Sequence, residues 1–97
     1  MKKGYWVVAY QSISDESAVK AYAALARPAL ESFGARLLTS SASQIRPHET
    51  GLPLRTIVVE FDSYETALAA HDSEAYGKAL QALGSGARRD FRIVEGT

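Results

Sequence analysis

Apolar residues occupy both alternating sets of positions in the first segment of the chain, residues 4–12. One set contains Tyr5, Val7 and Ala9, and the other contains Trp6, Val8 and Tyr10. In an extended strand these two sets point to opposite faces of the sheet. A strand that is apolar on both faces is typical of the middle of a sheet. The pattern therefore predicts a central strand.

Two later segments alternate as strands with one buried face. The third strand is predicted over residues 55–61 and the fourth over residues 89–95. The side chains that they direct to the core face are Ile57, Val59, Phe61, Phe91 and Ile93. Their opposite face carries Thr56, Val58, Glu60, Asp90, Arg92 and Val94. A second strand is predicted from residue 35 to about residue 46, and residues 47–53, framed by two prolines, are predicted to form a hairpin loop.

The first helical pattern begins at a cap, Ser14 or Asp15, and ends near residue 33, where Gly34 supplies the C-terminal turn. Its predicted buried positions are Ala18, Tyr22, Leu25, Ala29 and Phe33. The second helical pattern begins at Ser63 and ends at Gly84. We expect a break near residues 72–73, which divides this pattern into two pieces.

The two halves of the chain resemble each other. Residues 14–19, at the start of the first helix, reappear in similar form as residues 63–68, and each copy follows an apolar strand segment. Each half therefore reads as strand, helix, strand. Two such units predict an α+β fold, a ferredoxin-like βαββαβ sandwich in which a four-stranded antiparallel sheet in the order 4-1-3-2 carries the helices on one face. We expect one domain over residues 1–97.

The face of this sheet that the helices leave uncovered is partly apolar, because it carries Val58, Val94 and one set of strand-one residues. Soluble monomers rarely expose a contiguous apolar patch larger than a few hundred Å². A standard interface buries about 800 Å² on each partner. We therefore expect a homodimer in which the two sheets face each other and form a barrel.

Composition narrows the function classes. The chain has no cysteine, which excludes disulfides, thiolate chemistry and cysteine-ligated iron–sulfur clusters. Eleven basic and eleven acidic residues cancel, so the chain lacks the positive charge that binding to nucleic acid requires. The apolar stretch behind the N-terminal lysines is too short for a signal peptide. We expect a cytoplasmic protein without a nucleic-acid or membrane partner.

Five segments in order along nearly the whole chain resemble one family: residues 4–6, 34–36, 55–67, 73–76 and 94–96. They are similar to the family known as domain of unknown function 1330, within the dimeric α/β-barrel superfamily. The resemblance implies a ferredoxin-like subunit and a barrel built from two subunits, and it implies no particular activity. The chain departs from the family at Ala70 and His71, where bulky aromatics are common, and at Glu74, where proline is common.

Charged and aromatic side chains near the open face are the candidate ligand-binding residues: Glu60, Arg92, Arg36, Trp6 and Tyr5. Glu60 is the candidate catalytic residue, because a carboxylate in a half-apolar cavity has a shifted pKa or a charged partner. The alternative is that Glu60 pairs with an arginine and stabilises the dimer. Arg92 and Arg36 would contact an anion. Of Trp6 and Tyr5, the one that faces the helices belongs to the core, and the other would stack on a flat ligand.

The remaining polar motifs indicate no further chemistry. His48 is expected in a solvated loop, and His71 at the edge of the core. Two histidines on separate elements, without cysteine, do not have the spacing of a metal site. Residues 84–89 are a helix stop rather than a phosphate loop, because no lysine and helix follow. We predict no metal and no cofactor.

Three functions remain open from the sequence. The first is the binding of a small organic molecule between the two sheets of the homodimer. The second is a cofactor-independent enzyme, similar to the monooxygenases and isomerases of the dimeric α/β-barrel superfamily, although fold alone does not give function. The third is an assembly or regulatory protein without cavity chemistry.

Overall fold

The chain forms a four-stranded antiparallel sheet with helices on one face, in a computed structural model that describes residues 1–97. The elements in chain order are β1 (Gly4–Ile13), α1 (Glu16–Ser32), β2 (Arg36–Leu37), β3 (Thr56–Phe61), α2 (Tyr64–His71), α3 (Glu74–Leu83) and β4 (Ala87–Glu95). The strand order is β2-β3-β1-β4. The predicted ferredoxin-like topology and the predicted strand order are confirmed.

The central strand β1 decides which side of the sheet becomes the core. Trp6, Val8 and Tyr10 are buried beneath the helices, whereas the alternate set is only half-buried. The Trp6 ring centroid lies 5.1 Å from that of Phe61, 4.8 Å from that of Tyr76 and 5.0 Å from that of Phe91. Its indole Nε1 donates a hydrogen bond of 2.9 Å to the Ala67 carbonyl in α2. The polar atom of the largest core side chain is therefore satisfied.

Helix α1 is capped by Asp15, whose carboxylate accepts hydrogen bonds from the backbone amides of Ser17 and Ala18. Its fully buried residues are Val19, Ala26 and Ala29. The prediction was wrong for Leu25, which is 44% exposed. Positions 19, 22, 26 and 29 of α1 face α3 and the sheet. Leu25 precedes Ala26 by one residue, which is a rotation of about 100° around the helix axis, so its side chain points away from this face.

The second helical pattern is divided as predicted. Ser63 caps α2 by accepting a hydrogen bond from the Thr66 amide, and Ser73 caps α3 by accepting one from the Tyr76 amide. The Ser73 hydroxyl also donates to the Ala70 carbonyl at the end of α2, so one side chain closes one helix and opens the next. None of the helices combines the length and the apolar character needed to cross a membrane.

The second strand is much shorter than predicted, because it contains only Arg36–Leu37. After Leu38, the Thr39 hydroxyl replaces the backbone in the ladder: it donates to the Thr56 carbonyl and accepts from the Val58 amide, each at 2.8 Å. A turn with Ser40 and Ser43 side chains bonded to backbone amides then leads the chain away from the sheet. Side-chain hydrogen bonds of this kind compete with strand pairing, and residues 38–55 form a long loop instead.

Gly4 provides a direct test of the packing between β1 and α2. A Cβ atom at Gly4 would lie 2.6 Å from the Ser63 carbonyl oxygen and 2.6 Å from the Tyr64 Cα atom, both of which belong to the backbone. We predict that Gly4→Ala lowers the free energy of unfolding by about 1–3 kcal/mol, measured by denaturant unfolding.

Gly77→Ala is the matched control, because Gly77 lies inside α3 and a Cβ atom there has no neighbour within 4 Å. Alanine at that position should raise the free energy of unfolding by about 0.5–1 kcal/mol through helix propensity. Unchanged stability in Gly4→Ala would contradict the close approach of β1 to the start of α2.

Candidate functional site

On the open face of the sheet, Glu60 lies between two of the predicted site residues. It is directly opposite Tyr5 of β1 and Arg36 of β2 in the strand register. Arg36 Nε is 2.9 Å from one carboxylate oxygen of Glu60, and the Tyr5 hydroxyl donates to the other at 3.0 Å. Arg36 also pairs with Asp62, at 3.1 Å. The structure thus brings three of the five candidates together.

The electrostatics of Glu60 are those of an ion-pair partner. The hydrogen bond from Arg36, followed by that from Tyr5, holds the pKa of the Glu60 carboxyl below its ordinary value. The same hydrogen bond to Glu60 raises the pKa of Tyr5. A carboxylate with a lowered pKa is a weak general base near neutral pH. These contacts fit the interpretation in which Glu60 pairs with an arginine.

Arg92 and Trp6 lie apart from this group. Arg92 is opposite Val7 on the far side of β1 and forms two hydrogen bonds, of 3.0 and 3.2 Å, with Asp90 on its own strand. Trp6 points to the core side, which leaves Tyr5 as the aromatic candidate on the open face. The sequence predicted that one of the two aromatics would belong to the core.

A cavity with a mostly apolar lining lies on the other side of the sheet, between α1 and the core face. It has a volume of about 180 Å³, and eleven of its sixteen lining residues are hydrophobic. Apolar walls come from β1, β3 and α1: Trp6, Val8, Val19, Ala26, Leu30, Ile57 and Val59. Exposed residues of α1, β2 and the long loop mark its mouth: Ala23, Arg27, Leu37, Ser40 and Ser41. A second hollow of about 210 Å³ shares Arg27, Leu30, Leu37 and Val59 with it and adds Glu31 and Ala35.

Arg89 of β4 brings a positive charge into this cavity. It is paired with Tyr10 in the strand register and lies on the core side with Phe91. Its guanidinium carbon is 4.8 Å from the ring centroid of Tyr22, 5.3 Å from that of Phe91 and 5.6 Å from that of Tyr10. Arg89 takes part in none of the ion pairs of the chain. Aromatic rings, rather than a carboxylate, therefore surround this cation.

Two tyrosine hydroxyls lie beside Arg89. The hydroxyls of Tyr22 in α1 and Tyr76 in α3 are 2.8 Å apart, and Tyr76 is completely buried. Burial, and then the charge and hydrogen bond of Tyr22, raise the pKa of Tyr76 well above its ordinary value. Burial also raises the pKa of Tyr10. The hydroxyls of Tyr76 and Tyr10 therefore stay protonated and act as neutral hydrogen-bonding groups.

The other arginines of the lining differ in their partners. Arg55 Nη2 contacts both carboxylate oxygens of Glu16, at 3.3 and 3.1 Å, so its charge is largely compensated. Arg27 forms no ion pair within 4.0 Å and lies exposed at the mouth. Histidine, aspartate and glutamate are absent from the lining.

Sequence reasoning missed the cavity and its cation, although one signal was present. Arg89 shares the alternation of Phe91 and Ile93, which the sequence assigned to the core face. An arginine at a core-facing position is unusual and marks a site. Ser40 and Ser41, at the mouth, lay within the overpredicted second strand. No group of three or more histidine, cysteine, aspartate or glutamate residues is arranged to hold a metal ion.

Comparison with known families and structures gives a match over nearly the whole chain. The model of the family described as domain of unknown function (DUF1330) matches residues 3–97. No curated protein sequence matches the chain.

Solved structures share the fold at low sequence identity. The methylated RPA0582 protein of Rhodopseudomonas palustris is 12% identical with a TM-score of 0.77, over 99% of this chain and 82% of its own. An ethyl tert-butyl ether D family protein of Bacillus halodurans is 12% identical with a TM-score of 0.58, over 100% of both chains. A candidate antibiotic biosynthesis monooxygenase of Nitrosomonas europaea is 15% identical with a TM-score of 0.59, over 98% of this chain and 89% of its own. At these identities the similarity establishes the ferredoxin-like fold of the chain and nothing finer.

The open-face ion pair makes a prediction about titration. In Arg36→Ala the pKa of Glu60 should rise toward its ordinary value, because the largest interaction that favours the charged carboxylate is removed. The measurement is an NMR titration of the Glu60 side-chain carboxyl group.

Arg92→Ala is the control, because Arg92 pairs with Asp90 and lies across β1 from Glu60. It should leave the pKa of Glu60 unchanged. An equal rise in both variants would show that the general charge of the face, rather than the contact with Arg36, sets the pKa of Glu60.

Proposed function

The chain belongs to the DUF1330 family, a domain of unknown function, and we propose that it binds a small organic molecule in the cavity between α1 and the core face of the sheet. The observation that carries the proposal is the lining of this cavity: apolar walls with a few convergent polar groups, Tyr22, Arg55 and Arg89. Ligand sites in proteins have this composition.

The volume of the cavity limits the size of the ligand. At about 180 Å³ it is slightly larger than the engineered cavity of about 150 Å³ that accommodates benzene in another protein. One aromatic ring with a short substituent, or an aliphatic molecule of similar size, fills such a space. Larger ligands would have to project through the mouth at Ser40 and Ser41.

The contacts of the charged residues favour this cavity over a site between the sheets of a dimer. On the open face, Glu60 already accepts hydrogen bonds from Arg36 and Tyr5, and Arg92 is already paired with Asp90. Arg89 has no such partner on the helix side. The cavity beneath α1 therefore offers a ligand a guanidinium without a carboxylate partner, unlike Arg36 and Arg92 on the open face.

Ligand binding is better supported than catalysis as the function of this cavity. Structures with the same fold include a candidate monooxygenase and a possible oxidoreductase, and a cofactor-independent enzyme remains the alternative. The cavity lining, however, has no imidazole, carboxylate or thiol to serve as a base near neutral pH. Its tyrosine and arginine side chains suit the holding of a ligand.

We also propose that the protein is a homodimer through the open face of the sheet. Tyr5, Val7 and Val58 are only half-buried there, and Val94 is 45% exposed. Pairing two such faces would remove this apolar surface from water. The dimer and the cytoplasmic location both stay predictions from the sequence.

A larger side chain that fills part of the cavity should weaken ligand binding. We predict that Ala23→Leu weakens the binding of phenylacetate and phenylacetamide, two molecules with one ring, by about tenfold or more, because the added side chain enters the mouth of the cavity. Binding is measured by the shifts of the backbone amide resonances of cavity residues such as Val19 and Ala26.

Ala24→Leu is the matched control, because Ala24 is an equally exposed neighbour on α1 that does not line the cavity. It should bind both probes as the unsubstituted protein does. Equal weakening in the two variants, or probe shifts confined to residues of the open face, would contradict the proposed site.

The dimer is tested by a charge on the open face. In Val7→Lys the mass in solution at micromolar concentration should fall from that of two chains to that of one, because the ammonium group would be buried without a partner at the sheet-to-sheet contact. Sedimentation velocity measures this mass. Leu25→Lys, on the exposed surface of α1, should stay dimeric. A monomeric unsubstituted protein would refute the dimer.

A further inference from the structure

The charges around the cavity are unbalanced. Three arginines line it, Arg27, Arg55 and Arg89, and the acidic Glu31 lines only the adjoining hollow that shares Arg27 and Leu30 with it. Only Arg55 has a carboxylate partner, Glu16. The chain as a whole is neutral, with eleven basic and eleven acidic residues. The positive field in this cavity is therefore a local feature, and such a field favours an anionic occupant.

Arg89 is the arginine that would meet this occupant. Arg89 is half-buried, and a cation that is partly removed from water without a carboxylate or phosphate partner loses hydration that its surroundings do not fully replace. The three aromatic rings around the guanidinium compensate part of this cost and fix its position. A planar guanidinium presents five N–H donors in a fork that matches the two oxygens of a carboxylate.

Tyr22 supplies a second donor at the same place. The Tyr76 hydroxyl is completely buried, and its hydrogen-bond partner is the Tyr22 hydroxyl. When Tyr76 donates its proton to Tyr22, the proton of Tyr22 is free to point elsewhere. Tyr22 itself lines the cavity. Tyr22 thus supplies a second hydrogen-bond donor next to the guanidinium, whose central carbon lies 4.8 Å from the Tyr22 ring centroid.

We infer, on the basis of the proposed function, that the ligand is a small organic acid whose carboxylate binds Arg89 and the Tyr22 hydroxyl. The apolar body of this acid would lie against α1 and β3. The body would contact Val19 and Ile57, which line the apolar part of the cavity. Arg27, at the mouth, would attract the acid during entry without holding it.

Two probes of equal shape test this assignment. Phenylacetate and phenylacetamide differ in charge and in hydrogen-bonding groups but hardly in size. The unsubstituted protein should bind phenylacetate about tenfold to a hundredfold more tightly than phenylacetamide, as expected of hydrogen bonds to a charged group. Affinities come from titrations followed by amide resonances of the cavity and by the fluorescence of Trp6, the only tryptophan of the chain.

Arg89→Met should abolish the preference for the acid while phenylacetamide still binds, because methionine keeps an apolar stem among the aromatic rings. Arg88→Met, an exposed arginine one residue away on β4, should retain the preference. If Arg89→Met does not fold, as judged by circular dichroism, the comparison of the two probes on the unsubstituted protein still decides whether the cavity selects an acid.

The outcomes separate the two proposals. Equal affinity for both probes would overturn the acid assignment and leave the binding site standing. A preference that survives Arg89→Met would overturn the role of Arg89. Failure of both probes to shift any cavity resonance at millimolar concentration would contradict the binding function itself, and with it the acid assignment.

Discussion

The burial of Trp6 is the contact on which the arrangement of this chain depends. Its ring is 1% exposed and packs against Phe61, Tyr76 and Phe91, while its Nε1 atom donates to the Ala67 carbonyl. One side chain thereby joins the central strand to β3, β4, α2 and α3. Because side chains alternate along a strand, fixing Trp6 inward also fixes Tyr5 and Val7 outward. Both surfaces of the sheet follow from this choice.

The cavity follows from the sizes of the residues that face each other. The sheet side contributes aromatic rings beside smaller aliphatic residues, and α1 contributes the small Ala23 and Ala26 between the larger Tyr22 and Leu30. Native cores have few voids larger than a water molecule, so a hollow between such surfaces is a distinctive feature. Arg89 adds to this hollow a cation held by aromatic rings. On the open face, in contrast, Glu60 pairs with Arg36 and Arg92 pairs with Asp90.

The sequence predicted the parts of the fold that depend on local periodicity. The alternation of β1 and β3, a cap at Ser14 or Asp15, the cap at Ser63 and the break near residues 72–73 all rest on neighbouring residues. The predicted length of the second strand was wrong because the Thr39 hydroxyl forms the hydrogen bonds that the backbone of β3 would otherwise make with a longer strand. This is a tertiary contact that no local sequence pattern shows. The face of α1 was misjudged at Leu25, since its orientation depends on packing against α3.

The candidate site was predicted only in part. The pairing of Glu60 with an arginine was among the stated alternatives, and cross-strand register explains why Arg36 is that arginine. The cluster around Arg89 joins residues from α1, α3, β1 and β4, and only the assembled fold brings Tyr22 and Tyr76 to within 2.8 Å of each other. The sequence analysis assigned only Phe91 and Ile93 of β4 to the core face, and the inward position of Arg89, which shares their alternation, was missed.

The central claim is that the cavity beneath α1 receives a small organic acid, and a crystal structure of the protein grown with phenylacetate tests it most directly. The account predicts electron density for the ring between α1 and the core face of the sheet, with the carboxylate within hydrogen-bonding distance of the Arg89 guanidinium. Density for the ligand beside Glu60 and Arg36 on the open face, with nothing beneath α1, would contradict it.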